Sequence, residues 1–240
     1  MMGLTLSRRA WLGLLLVLFF ALVLLLPLRL ALGMAGLERL GTSARDVRGT
    51  MWSGRIDSLM IGDVPLGTVR VGLSPLHLFK GRLGIDMVRA KGLPDDVSGG
   101  IGTGVGGIGI DDVTGAVPLG SALAPLPIGS LRMDKVSARF SGGRCISAEG
   151  NVHASVTGRI EGLNLSQGLS GALRCDGEAL LIPLVSQSAM ETLTLRFAEN
   201  GRYTAEMRVQ TGDAALAAAL GAAGFRSVGG AQLLSIAGSL

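Results

Sequence analysis

The stretch ETLTLRFAENGRYTAEMRV, residues 191–209, decides the fold. At its centre Asn200-Gly201 is a two-residue turn of the kind that joins right-twisted antiparallel strands. Leu193, Leu195 and Phe197 alternate with polar positions before the turn, and Tyr203, Ala205, Met207 and Val209 do so after it. A period of two on both arms means one face in a core and the other in water. The segment reads as a half-buried hairpin, and a half-buried hairpin belongs to an antiparallel sheet.

Upstream, SLRMDKVSARF, CISAEGNVHASVTGRI and LSGALRCDGEALLIPLVS read as further strands within 130–210. Downstream, DAALAAALGAAGF (213–225) reads as a short helix: Asp213 caps it, Ala and Leu fill it, and Gly224 suits its exit. Residues 47–91 give another run of strands, VRGTMWSGRIDSLMIG, LGTVRVGLSP and GRLGIDMVRA. In the last, Leu83, Ile85 and Met87 alternate with Gly84, Asp86 and Val88. SPLHLF (74–79) predicts one helical turn, with Ser74 as cap and Pro75 first. Between these regions, 92–129 is rich in Gly and Pro. VTGAVPL within it is strand-like, and GGIGTGVGG reads as a flexible connection. Two halves are expected, about 41–91 and 130–240, joined by 92–129.

The first thirty residues differ. Ala10 to Leu28 carries no charge, and a helix that long spans about 28 Å, close to a bilayer's hydrocarbon core. Arg8 and Arg9 precede it with no acid among them, and Trp11 sits at its edge. The positive-inside bias places residues 1–9 in the cytoplasm, 10–32 in the inner membrane as a single anchor, and 33–240 in the periplasm of a Gram-negative cell. A cleaved signal peptide would have a shorter apolar core. The fold class is therefore mainly β: one N-terminal transmembrane helix, then an antiparallel, curved sheet with a short helix near the C-terminus.

Composition agrees. The chain has 240 residues, 48% hydrophobic but only 4% aromatic, with 38 glycines. That suits short aliphatic strands joined by tight turns and excludes a coiled coil or wholesale disorder. The net charge of +4 owes three of its cations to Arg8, Arg9 and Arg29; the body is nearly balanced and has no basic stripe. Nucleic acid is excluded as a partner on that ground.

No chemistry-bearing motif survives inspection. Gly102, Gly104 and Gly107 match G-x-G-x-x-G, but the helical period that phosphate binding requires does not follow. Asp95-Asp96 and Asp111-Asp112 lack the alternate spacing of a calcium loop and read as turn-favouring, solvated aspartates. His77 and His153 have no partner in a triad or metal motif, and neither G-x-S-x-G nor H-E-x-x-H occurs. Asn164-Leu165-Ser166 is a sequon that matters only in a eukaryotic secretory route. No catalytic residue, cofactor or metal is expected, and the body reads as a binding or assembly module. Cys145 and Cys175 are an even pair in an oxidising compartment, which favours a disulfide. The alternative is two free, buried thiols on neighbouring strands.

The stretches GTMWSGRID (49–57) and LGTVRVGLSPLHLFKGRLGIDM (66–87) resemble the type II secretion system protein N family. Gly49, Thr50, Trp52 and Gly54 match its G-T-x-W-x-G strand. Gly67, Pro75, Leu78, Gly81 and Leu83 match the run that follows, although Gly72-Leu73 replaces the family's aromatic before LSP. LSGALRCDGEALLIPL and the hairpin after it resemble the family's second half. The resemblance implies an inner-membrane accessory component, without catalysis, of the machine that exports folded proteins from the periplasm. Its partners would be other type II secretion system proteins. An alternative is an AsmA-like role in periplasmic lipid binding or transport, for which an apolar, curved sheet would serve as a groove.

Overall fold

A computed structural model describes residues 8–30, 42–61, 64–73, 82–89, 97–104, 106–120, 122–157 and 165–239. Helix α1 (Arg8–Leu24) is followed by strands β1 (Thr42–Ser43), β2 (Asp46–Thr50), β3 (Ser53–Ile61), β4 (Val64–Leu73) and β5 (Arg82–Arg89). Then come β6 (Ser98–Gly104), β7 (Gly107–Pro118), β8 (Ile128–Ser141), β9 (Arg144–Val156), β10 (Leu169–Ala172) and β11 (Arg174–Asp176). The chain closes with β12 (Ala179–Ser186), β13 (Glu191–Ala198), β14 (Arg202–Gln210), helix α2 (Ala214–Ala222), β15 (Arg226–Val228) and β16 (Ala231–Ser239). All sixteen strands belong to one antiparallel sheet, mostly in sequence order, with β16 between β14 and β15.

Directly opposed residues of an antiparallel pair share a face, so the register defines a core face and an outer face. In the deciding hairpin Leu193 opposes Met207 and Leu195 opposes Ala205, all four fully buried. Gly201 closes the turn at φ +80°. The outer positions Thr204, Glu206 and Arg208 are exposed.

The sheet bends at bulges. Register shifts in β3, β7 and β8 coincide with Ser58, Asp112 and Lys135, each a non-glycine residue at positive φ. A bulge removes ladder bonds and sharpens the local twist. Across β7 and β8 the lost acceptors are replaced reciprocally: the Asp112 N–H donates to Ser137 Oγ and the Lys135 N–H to Thr114 Oγ1.

Two clusters of buried residues lie on the core face. The smaller, at the N-terminal end, joins Leu28, Ile56, Leu59, Val69 and Val71. The larger runs from β7 to β16 and is covered by two elements. One is the 119–127 segment, which inserts Leu119, Leu123 and Leu126 and whose Ala122 carbonyl accepts from the Tyr203 hydroxyl at 2.6 Å. The other is α2, which brings Leu220 and the following Phe225. Asp213 caps α2 as expected, its Oδ1 accepting from the Ala215 N–H at 2.8 Å, and Gly224 leaves the helix at φ +95°.

One expectation meets a different structure, and a second is met only in part. The run GGIGTGVGG, read as a flexible connection, forms most of β6 and the start of β7, paired with β5 throughout β6 and with β7 apart from an irregularity at Gly99. Strand pairing uses backbone groups that glycine possesses, while its missing side chain erases the period that sequence reading needs. The apolar N-terminus is helical over 17 residues, Arg8–Leu24. Among the described residues no helix is long and apolar enough to cross a membrane. Pro27 follows the end of α1 and forms a bridge with Thr50 instead of continuing the helix. The predicted turn at 74–79 lies outside the described residues.

Candidate docking edge and outer-face hollow

An open sheet has two edges, and an edge strand with unpaired backbone groups is a template for another chain. The two edges here are built differently. At the N-terminal edge β1 and β2 are short and separated by a bend. Arg48 donates to Asp46 at 2.6 Å, and that bond holds the Asp46 carboxyl below the usual carboxylate range. The end of α1 adds a further cover: Pro27 bridges Thr50 and the Met51 N–H donates to the Leu26 carbonyl at 3.0 Å. Charge, brevity and a covering segment are the devices that blunt an edge.

The C-terminal edge has less protection. β15 pairs with only Ala231, Gln232 and Leu233 of β16. On that side, among the described residues, no strand pairs with Leu234–Ser239. This LSIAGS stretch has no charge and no proline. All six of its residues pair in unbroken register with β14. Gly238 opposes Tyr203, and a Cβ there would lie 2.7 Å from the Tyr203 ring, so the aromatic covers the glycine and stiffens the pair.

A second feature is a hollow of about 340 Å³ over Gly100 and Gly102, rimmed by Asp86, Asp111, Asp112 and Arg139. Arg139 bonds Asp111 at 2.6 Å and is thereby neutralised. Asp112 occupies the β7 bulge. The expected solvated pair Asp111-Asp112 is thus one ion-paired and one bulge residue.

The remaining residues singled out from the sequence are scattered. Cys145 on β9 and Cys175 on β11 form a disulfide, with Cα atoms 5.4 Å apart. Gly49, Thr50, Trp52 and Gly54 lie at the β2–β3 hairpin, where Gly49 takes φ +96° and its Cβ would meet the Ser53 carbonyl at 2.5 Å. A Cβ on Gly54 would collide with the Leu28 side chain, so this glycine admits the segment that follows α1. Gly67 sits in β4 at φ +74°. Pro75, Leu78, Gly81, His77, Asp95, Asp96 and Asn164 lie outside the described residues, and Leu83 is in β5. Gly102 and Gly104 belong to β6 and Gly107 to β7, a hairpin instead of a phosphate loop. His153 is exposed on the outer face, opposite Arg132 and Ser170.

One polar group went unnoticed in the sequence. At the β12–β13 turn Ser186 and Ser188 both donate to Glu191 Oε2, at 2.5 and 2.6 Å, and the Glu191 N–H donates back to Ser186 Oγ. The three residues satisfy one another and fix the turn. The S-x-S-x-x-E spacing was the available signal.

A family model described as type II secretion system (T2SS), protein N, matches residues 41–234. No curated protein and no solved structure matches the chain.

Proposed function

The chain belongs to the type II secretion system protein N family, and from that premise we propose that it is a non-catalytic accessory component of the secretion machine, anchored in the inner membrane with its sheet in the periplasm. The observation that carries the proposal is the contrast of edges. A subunit that assembles with others needs one pairing surface left available, and Leu234–Ser239 is uncharged and, on the side away from β14, paired with no described strand. Partner strands add to such an edge through main-chain bonds, with alternate side chains setting specificity. The anchor is supported by the uncharged run Ala10–Leu28 behind Arg8 and Arg9, and by α1, whose described large apolar side chains are half or more exposed. The lack of a nucleophile–base motif in the sequence supports a role without catalysis.

Lysines on an edge strand deter pairing without disturbing the core. Ser235 and Ala237 are exposed outer-face positions of β16. In a strain that depends on this protein for export, Ser235→Lys with Ala237→Lys is expected to lower secretion at least tenfold while the protein stays folded. A photo-cross-linker at Ser235 is expected to capture another component of the same secretion system. Wild-type export by the double variant, together with no such adduct, would overturn the proposal. The anchor is tested separately by a C-terminal reporter that is active only in the periplasm.

A further inference from the structure

The core face carries an apolar lane between its two clusters. Met87 packs against the smaller cluster, and Ile110, Val113 and Phe140 pack against the larger. Between them stand Ile101, 37% exposed, and Ile108, 46% exposed. Ile101 directly opposes Ile110, and Ile108 opposes Phe140. Among the described core-face side chains of the sheet, these two are the large apolar ones left more than a third exposed. Asp86 and Asp111, both opposite Gly100, and Arg139, opposite Gly109, lie on the other face; Arg89, at the end of β5, is opposite Val69 of the smaller cluster.

Three features select the occupant. The lane is uncharged and apolar apart from Thr103, which opposes Ile108, so it suits a ligand with no charge along its length. From β5 to β8 it crosses three strand spacings, about 14 Å, and one leaflet of a bilayer's hydrocarbon is about 15 Å deep. It is also continuous with α1: Leu28, just past that helix, is buried in the smaller cluster, and α1 itself presents apolar side chains outward. From Met87 through Ile101 and Ile108 to Phe140 the register places no charged residue on this face. We propose that this lane binds one acyl chain of a membrane phospholipid, drawn from the bilayer beside α1. The source of the lipid rests on the anchor reading above.

The test uses the full chain in vesicles of phosphatidylethanolamine and phosphatidylglycerol, with p-benzoylphenylalanine placed at Ile108 or, separately, at Phe19 of α1. Irradiation of the Ile108 probe is expected to give a phospholipid-mass adduct, and Ile101→Glu is expected to reduce its yield at least tenfold. Ile101 is already exposed, so the variant is expected to keep its disulfide and circular dichroism; Ile101→Leu, which keeps the lane apolar, is expected to retain the adduct. A lipid adduct at Phe19 but none at Ile108 overturns the lane and leaves the anchor standing. An adduct at Ile108 but none at Phe19 supports the lane and overturns the anchor. Cross-linking from Ile108 to a second copy of the chain, or an adduct undiminished by Ile101→Glu, also overturns the lane.

Discussion

Strands β4 and β13 are both antiparallel members of one sheet with alternating apolar positions. Val69 and Val71 of β4 keep 6% of their surface, whereas Leu193 and Leu195 of β13 keep none. The difference lies in what covers the strands. At the N-terminal end the described residues give five buried side chains in the small cluster, one of them Leu28 from the segment after α1. At the C-terminal end the 119–127 segment, α2 and a cross-strand disulfide close over the same face. One ladder thus carries two regimes of packing. The lean end adjoins the apolar helix and the proposed lane, and the filled end carries the proposed docking edge, where a rigid strand would present backbone groups in fixed register.

The largest expected effect is at the filled end. Leu195→Ala would leave a cavity among residues with no room to collapse, a cost of about 4 kcal/mol. Val69→Ala removes less and does so in a thinner cluster, for a cost of about 1.5 kcal/mol. Urea unfolding separates the two when followed by circular dichroism and, in a Trp11→Phe background, by Trp52 fluorescence. Trp52 lies in the lean half, so its transition is expected at lower urea. Coincident transitions would show that the halves melt as one unit and would dissolve the contrast. Next in size is the disulfide. Cys145 and Cys175 enclose a loop of 30 residues, and replacing both by Ser is expected to remove about 3 kcal/mol from the filled half alone. A shift of similar size in the Trp52 transition would mean that the staple supports the whole sheet.

Legibility in the sequence follows the same division. The 191–209 hairpin was readable because its alternation and its Asn-Gly turn agree, and 213–225 because cap, filling and exit agree. β6 was not readable, since Gly99, Gly100, Gly102 and Gly104 carry no period although all four pair with β5. The 119–127 segment has no period either; Leu119, Leu123 and Leu126 are buried because the sheet curls beneath them, which is a tertiary fact. β15 and β16 carry a signal in Gly229-Gly230 between two short runs, a two-residue hairpin turn. The docking edge could not be read from any strand alone. An edge is defined by which neighbour is missing, and that depends on the order of all sixteen strands.

Smaller effects test whether burial, and not surface charge, separates the halves. Asp213→Ala removes the cap of α2 and is expected to cost about 1 kcal/mol, seen as an earlier circular dichroism midpoint. Below that lie two exposed ion pairs among the described residues, one toward each end of the sheet. Arg196 meets Asp176 at 2.7 Å, but both side chains are nearly half exposed, so Arg196→Gln is expected to cost about 0.5 kcal/mol or less. Arg48 meets Asp46 on the lean side in water-exposed surroundings. Here the readout is the proton. The Arg48 hydrogen bond lowers the Asp46 pKa, so what it contributes is present at neutral pH and is lost only as pH falls through that lowered value. Arg48→Gln is expected to move the Asp46 carboxyl titration, followed by NMR, up toward its ordinary value, with no measurable change in the urea midpoint at pH 7. If instead the midpoint fell by more than Arg196→Gln lowers its own, the lean half would owe its stability to charge at its edge, and burial would not be what distinguishes the two ends.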